Sequence, residues 1–118
     1  MNQFPRALIF SSNKKTLELF HRLLFQRHEL ILTDSTLQVF DCLEHDAKIS
    51  MLILDLSTLE TIDPIKDDIL NIRTKRPGLK IITLIEHRQQ TEVAELKTIP
   101  LIKPVNETKI LQIIKNDL

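Results

Sequence analysis

The sequence predicts one α/β domain, a parallel five-stranded sheet sandwiched between helices. Three observations lead there. Short apolar runs alternate five times with segments of helical period, the pattern that right-handed crossovers turn into a parallel sheet. The third run, Met51 to Leu54, is apolar on both alternating faces, as a strand covered on two sides must be. Finally, 118 residues suffice to bury one core without staples and would crowd two domains, so residues 1–118 are read as a single unit.

Each element has its own signal. Ala7 to Phe10 is the first strand, and Asn13 to Gln26 the first helix, with Leu17, Phe20 and Leu24 at helical spacing. Glu29 to Thr33 is β-rich. Ser35 with Gln38 three residues on forms a capping-box signature for a helix carrying Leu37, Phe40 and Leu43 inward. Asp55 terminates the third strand, at the expected sheet centre. Asp63 then reads as an N-cap with Pro64 at the first helical position, and Ile65, Ile69 and Ile72 form a buried stripe that runs to Arg76 before Pro77 and Gly78 stop it. Lys80 to Ile85 is the fourth strand, Gln89 to Leu96 a weakly amphipathic helix and Leu101 to Ile102 a short fifth strand. Asn106 caps a last helix with Ile110, Ile113 and Ile114 facing inward.

Composition excludes several classes of function. Sixteen Lys and Arg balance sixteen Asp and Glu, so no overall positive field draws the chain to nucleic acid or to an anionic membrane. The single glycine, Gly78, cannot supply a P-loop or a dinucleotide fingerprint. Cys42 is the only cysteine, which leaves no internal disulfide and no Cys-rich zinc site, and a reducing cytoplasm is the expected home. Apolar runs of four residues are too short for a membrane span or a secretory leader.

In such sheets ligands gather in the crevice outside the carboxyl ends of the strands. The positions there are Ser11 and Ser12, Asp55 to Ser57, Ile85 to His87, and Lys103 with Pro104. With this order of elements, the stretches ALIFSSN, MLILDL and LIKP make the chain resemble the response-regulator receiver domain from Arg6 to Leu118. The resemblance implies the CheY-like, flavodoxin-like strand order 2-1-3-4-5. It implies an acidic pair holding magnesium where Ser11 and Ser12 stand, a phospho-accepting aspartate at Asp55, a Ser or Thr at Ile85, and a Lys-Pro at Lys103-Pro104 joined by a cis peptide.

The departures from that pattern concern charge. Aspartyl phosphorylation needs a hard cation held by oxygen ligands, and one carboxylate among neutral serines should hold magnesium weakly at most, so no cofactor is expected. Ile85 has no hydroxyl to bind a phosphoryl oxygen. Glu86 would repel a phosphoryl group, pair with Lys103, or act as a replacement metal ligand. Thr58-Leu59 stands where the family has Met-Pro, and Pro100 replaces its switch aromatic. The expectation is a degenerate receiver that is not an enzyme. It would work by binding proteins (a histidine kinase, an effector domain or itself as a homodimer) through residues 89–118, including Val93, Leu96 and Leu101. A receiver weakly phosphorylated on Asp55 is the alternative.

Plainer roles are expected elsewhere. Asp55 pairs with Lys103 in a closed site, and Ser11 and Ser12 are caps. His21 and His28 are too far apart along the first helix to share a metal without other ligands, while His45 favours a helix C-terminus. His87 borders the site with no second ligand near it, and Cys42 is semi-buried. Arg73, Lys75, Arg76 and Lys80 are the one basic concentration, too small and too poor in aromatics for a nucleic-acid patch. Ending after its fifth helix, the chain is expected to carry no effector domain, as a stand-alone regulator or as the amino-terminal domain of a larger protein.

Overall fold

The computed structural model describes residues 5–115. The strands are β1 (Arg6–Phe10), β2 (Glu29–Thr33), β3 (Ile49–Asp55), β4 (Lys80–Ile85) and β5 (Ile99–Ile102). The helices are α1 (Lys14–Leu24), α2 (Thr36–His45), α3 (Asp63–Lys75), α4 (Gln90–Ala94) and α5 (Glu107–Lys115), and a single 3-10 turn, His87–Gln89, leads into α4. All strands are parallel in the order β2-β1-β3-β4-β5, the flavodoxin-like topology, with β3 at the centre.

The core lies in two layers set by the period of two along each strand. Leu8, Phe10, Leu52, Leu54, Ile81 and Ile85 face α2, α3 and α4, where Val39, Leu43, Ile65, Ile69, Ile72 and Val93 meet them. Ala7, Ile9, Met51, Ile53, Ile82 and Leu84 face α1 and α5, packing on Phe20, Leu24 and Ile110. Ile49 and Met51 share a parity yet lie in opposite layers. A bulge at Ser50 explains it, because Arg6 pairs with Ile49 while Ala7 pairs with Met51.

Several helix details differ from the sequence reading. Leu37 is 85% exposed, and α2 buries Val39 and Leu43 instead, because this sheet-facing i, i+4 pair lies on the opposite side of the helix from Leu37. The capping box is half-formed. The Ser35 hydroxyl accepts from the Gln38 N–H at 3.3 Å, but Gln38 Oε1 accepts from the Thr33 hydroxyl at 2.6 Å. Asp63 is not the N-cap of α3. Ile62, wholly buried, takes that place, and Asp63 becomes the first helical residue with its N–H on Thr61 Oγ1 at 3.2 Å. Its charge still favours the helix N-terminus.

The helix expected over residues 89–96 is a 3-10 turn and five α-helical residues. It ends because the chain turns at Lys97, the only non-glycine with positive φ (53°) among the described residues, before Pro100 enters the edge strand β5. Replacing exposed Lys97 with glycine removes the left-handed strain, and we expect Lys97→Gly to raise stability by about 0.5–1 kcal/mol in urea unfolding.

Three members of the basic concentration, Arg73, Arg76 and Lys80, prove structural. The Arg76 guanidinium donates to the carbonyls of Leu43 and Asp46 at 3.3 Å, of Ala47 at 3.2 Å, and of Ile49, tying the end of α2 to the start of β3. Arg73 donates to the Leu96 carbonyl at 2.8 Å and Lys80 to that of Ile113 at 2.5 Å. At the same end of the sheet, Arg6 bridges Glu29 at 2.7 Å and Asp46 at 2.5 Å, and the Arg6 bond holds the Asp46 carboxyl below its ordinary range.

Candidate functional site

The carboxyl ends of the strands converge because each hands its last backbone bonds to a neighbour. The Ser11 N–H donates to the Thr33 carbonyl at 3.1 Å, the Leu56 N–H to that of Leu84 at 2.9 Å and the Lys103 N–H to that of Ile85 at 2.8 Å. The peptide bond between Lys103 and Pro104 is cis.

Asp55 is completely buried at the centre of this convergence. Its Oδ2 accepts from Ser11 Oγ at 2.6 Å and from Lys103 Nζ at 3.1 Å. Its Oδ1 accepts from the Ser57 backbone N–H at 3.2 Å and from Ser57 Oγ at 2.6 Å. Four donors therefore converge on the carboxylate, and each oxygen holds two, which fills its lone-pair capacity. A buried carboxylate is stable only when it is paired and hydrogen-bonded in this way. The expected pairing of Asp55 with Lys103 is present, and Lys103 keeps about a quarter of its side-chain surface exposed.

Neither serine caps α1 as expected, because Asn13 takes that place. Ser11, wholly buried, donates to Asp55 and accepts from the Asn13 N–H at 3.0 Å, while Asn13 is the residue that caps α1, through the Lys15 N–H at 2.9 Å. Ser12 is exposed and donates to Thr58 Oγ1 at 2.7 Å. Asparagine competes well for a cap because its side-chain oxygen reaches the same N–H groups.

Glu86 does not pair with Lys103. Its half-exposed carboxylate meets Arg88 at 3.0 Å, because the chain turns into the 3-10 segment at His87 and carries the side chain out of the crevice. Ile85 is 1% exposed in the core. The hydroxyl on the same face of β4 belongs to Thr83, two residues earlier, where it is buried against Thr98 Oγ1 at 3.0 Å. Among the described residues, no group of three or more His, Cys, Asp and Glu is placed to hold a metal ion.

Two participants escaped the sequence reading. Ser57 falls among the crevice positions with no role that the sequence assigns, and its spacing of two from Asp55 is the only signal it carries. Gln89 is wholly buried within an otherwise polar stretch, and its amide donates to the Leu56 carbonyl at 2.7 Å. Nothing in the run from Glu86 to Glu92 marks that one glutamine as internal.

The expected partner face needs correction. Val93, Leu96 and Leu101 are 2%, 0% and 1% exposed, because they point inward from α4, from the turn after it and from β5. What this region shows to the outside includes Ala94, Lys97, Ile99 and Pro100; residues 116–118 lie outside the described residues.

The histidines take separate places. The His21 ring stacks on Phe25 with centroids 5.5 Å apart. His45 closes α2 with Nδ1 2.9 Å from the Asp41 carbonyl, a contact that raises its pKa. His87 lies in the 3-10 turn, exposed. Cys42 is half-buried against the α2/α3 layer. His28 has its pKa lowered from the usual 6.5, by burial first and by the Arg27 charge second. A neutral native imidazole opposes an unfolded state that binds a proton, so this residue's contribution declines as pH falls below the unfolded value. The stability of the wild type relative to His28→Gln should therefore fall on acidification through about pH 6.5 and below, as read by urea midpoints; a constant difference would contradict the burial argument.

No family model matches the sequence, and no curated protein matches it. Solved structures do match. A response regulator receiver protein from Pseudomonas putida is similar at TM-score 0.78 and 23% identity over 98% of this chain and 99% of its own. A CheY-like receiver domain protein from Methanospirillum hungatei gives 0.78 and 18% over 97% and 93%. A structure described as adenylate cyclase from Rhodopirellula baltica gives 0.79 and 18% over 98% and 87%. At these identities the likeness is one of fold, and the fold is that of the CheY-like receiver domains.

Proposed function

We propose that the protein is a receiver-type signalling module of the two-component class whose phosphorylation site is closed from within, and that it acts by binding proteins independently of aspartyl phosphate. One observation carries this reading. Both oxygens of the buried Asp55 are engaged by Ser11, Ser57 and Lys103, so none is presented to a phosphodonor. Magnesium, which the fold implies, does not fit the donor set. One carboxylate with its lone pairs occupied, plus two serine hydroxyls, offers a hard divalent ion little reason to shed its water, and Glu86 is turned toward Arg88.

The hydroxyl of Ser11 occupies Asp55 Oδ2 with a hydrogen bond while Lys103 balances its charge, which places a fixed donor where a family member holds an exchangeable ion. Partners (a histidine kinase, an effector domain or a second copy) then engage the exposed part of residues 89–115, where Ile99 and Pro100 lie on the edge strand. Sedimentation of the wild type against Ile99→Glu tests self-association at this edge.

A weak phospho-acceptor is the second reading, favoured by the retained contact between Asp55 and Lys103. Intact mass after incubation with acetyl phosphate separates the two. The closed-site reading predicts an unchanged mass, whereas a phosphoryl adduct that disappears in Asp55→Asn supports the second.

A further inference from the structure

We infer that Gln89 is a fixed latch that joins the two loops of the site, residues 56–62 between β3 and α3 and residues 86–89 between β4 and α4, into one rigid unit. This deepens the closed-site reading and rests on it for its functional meaning, though not for its geometry. Gln89 Nε2 donates to the Leu56 carbonyl at 2.7 Å and reaches that of Leu59 at 3.4 Å. Its Oε1 accepts from the Glu86 N–H at 2.9 Å. One side-chain amide thus uses donors on one loop and its acceptor on the other.

The latch is buried, and that decides its strength. Gln89 has no exposed surface, so releasing any of these bonds without unfolding the segment leaves a polar group unpaired in the interior. The neighbouring Arg88 doubles the tie from outside, donating to the Leu59 carbonyl at 3.1 Å and to that of Glu60 at 3.3 Å while its Nε holds the Glu86 carboxylate at 3.0 Å. Leu56 is itself anchored by its N–H to the Leu84 carbonyl at 2.9 Å, one residue past Asp55.

None of these bonds involves Asp55, Ser11 or Lys103. The position of the segment leading into α4 and on to the exposed edge of β5 is therefore set by Gln89, whatever group occupies the crevice. A hydroxyl at the end of β4 would respond to a phosphoryl group; a buried amide bonded to backbone on both sides has nothing to respond to. The surface offered to a partner is held in one arrangement.

Backbone and side-chain amide exchange by NMR tests the latch. In the wild type, the Gln89 carboxamide protons should exchange at least about tenfold more slowly than those of the exposed Gln90. Gln89→Met keeps the length and volume of the side chain and removes the bonds. The Glu86 amide should then exchange on the order of tenfold faster, while the core amides of Leu8 and Ile53 stay unchanged. Equal carboxamide rates for Gln89 and Gln90, an unchanged Glu86 amide, or an acceleration shared by the core would each overturn the latch. The wild-type carboxamide rates decide the matter even where the variant fails to fold. Binding of beryllofluoride at Asp55 in a protein whose Gln89 protons remain slow would sink the closed-site reading and leave the latch standing.

Discussion

Asp55→Asn should lower stability by about 2–3 kcal/mol, seen as a reduced urea midpoint at constant slope. The reason lies in the kinds of donor around the carboxylate. Serine hydroxyls can rotate to accept, but the Lys103 ammonium beside Oδ2 and the Ser57 backbone N–H beside Oδ1 can only donate. An asparagine amide turned either way therefore points its NH2 at one obligate donor. In either orientation it also leaves a partly buried ammonium without its counter-charge. An Asp55→Asn variant as stable as the wild type would mean that the network contributes nothing and that the carboxylate is less committed than its geometry implies.

Restoring the acidic pair should reverse the behaviour of the site. Ser11→Asp combined with Ser12→Asp replaces a donor 2.6 Å from Asp55 Oδ2 with a like charge. Without divalent cations, the double variant should be less stable than the wild type by about 2–4 kcal/mol, since clustered carboxylates repel one another and Asp55 loses a hydrogen bond. Magnesium should then stabilise it, by about 2.7 kcal/mol at a hundred times the dissociation constant, while leaving the wild type unmoved. The contrast is a response in the variant against none in the wild type. A wild type whose unfolding midpoint rises with magnesium would contradict the role given to Ser11.

Much of the fold was legible in the order of residues, for reasons of period. The β2 and β4 boundaries follow from runs that turn polar or meet a proline and a glycine, and the Ile65, Ile69 and Ile72 stripe is buried as its spacing implies. Misreadings occurred where a local signal competed with tertiary packing. Leu37 lies at helical spacing from Phe40 but is turned away from the sheet, and Asp63 yielded the cap position to a buried isoleucine. The α4 region was overextended because its amphipathic pattern does not reveal the left-handed turn at Lys97.

The site was legible in part. Asp55 and Lys103 meet as the element order requires, and the two serines stand where the first strand ends. Their roles differ, and only contacts reveal it: Ser11 is buried on Asp55, whereas Ser12 bonds Thr58 at the surface. The pairing of Glu86 depends on the direction of a turn that the three-residue 3-10 segment His87–Gln89 decides, and the sequence carries no mark of it. Gln89 illustrates the remaining gap, since a buried amide bonded to backbone carbonyls looks like any surface glutamine until the loops are in place.

An amide NMR spectrum titrated with magnesium and then with beryllofluoride reads the state of Asp55 most directly. A closed site predicts that the resonances of Ser11, Asp55, Ser57 and Lys103 stay in place at both steps. Shifts that begin at Asp55 and Lys103 and spread into β5 and α5 would contradict it, showing a carboxylate that still accepts a phosphoryl group and a module that still switches.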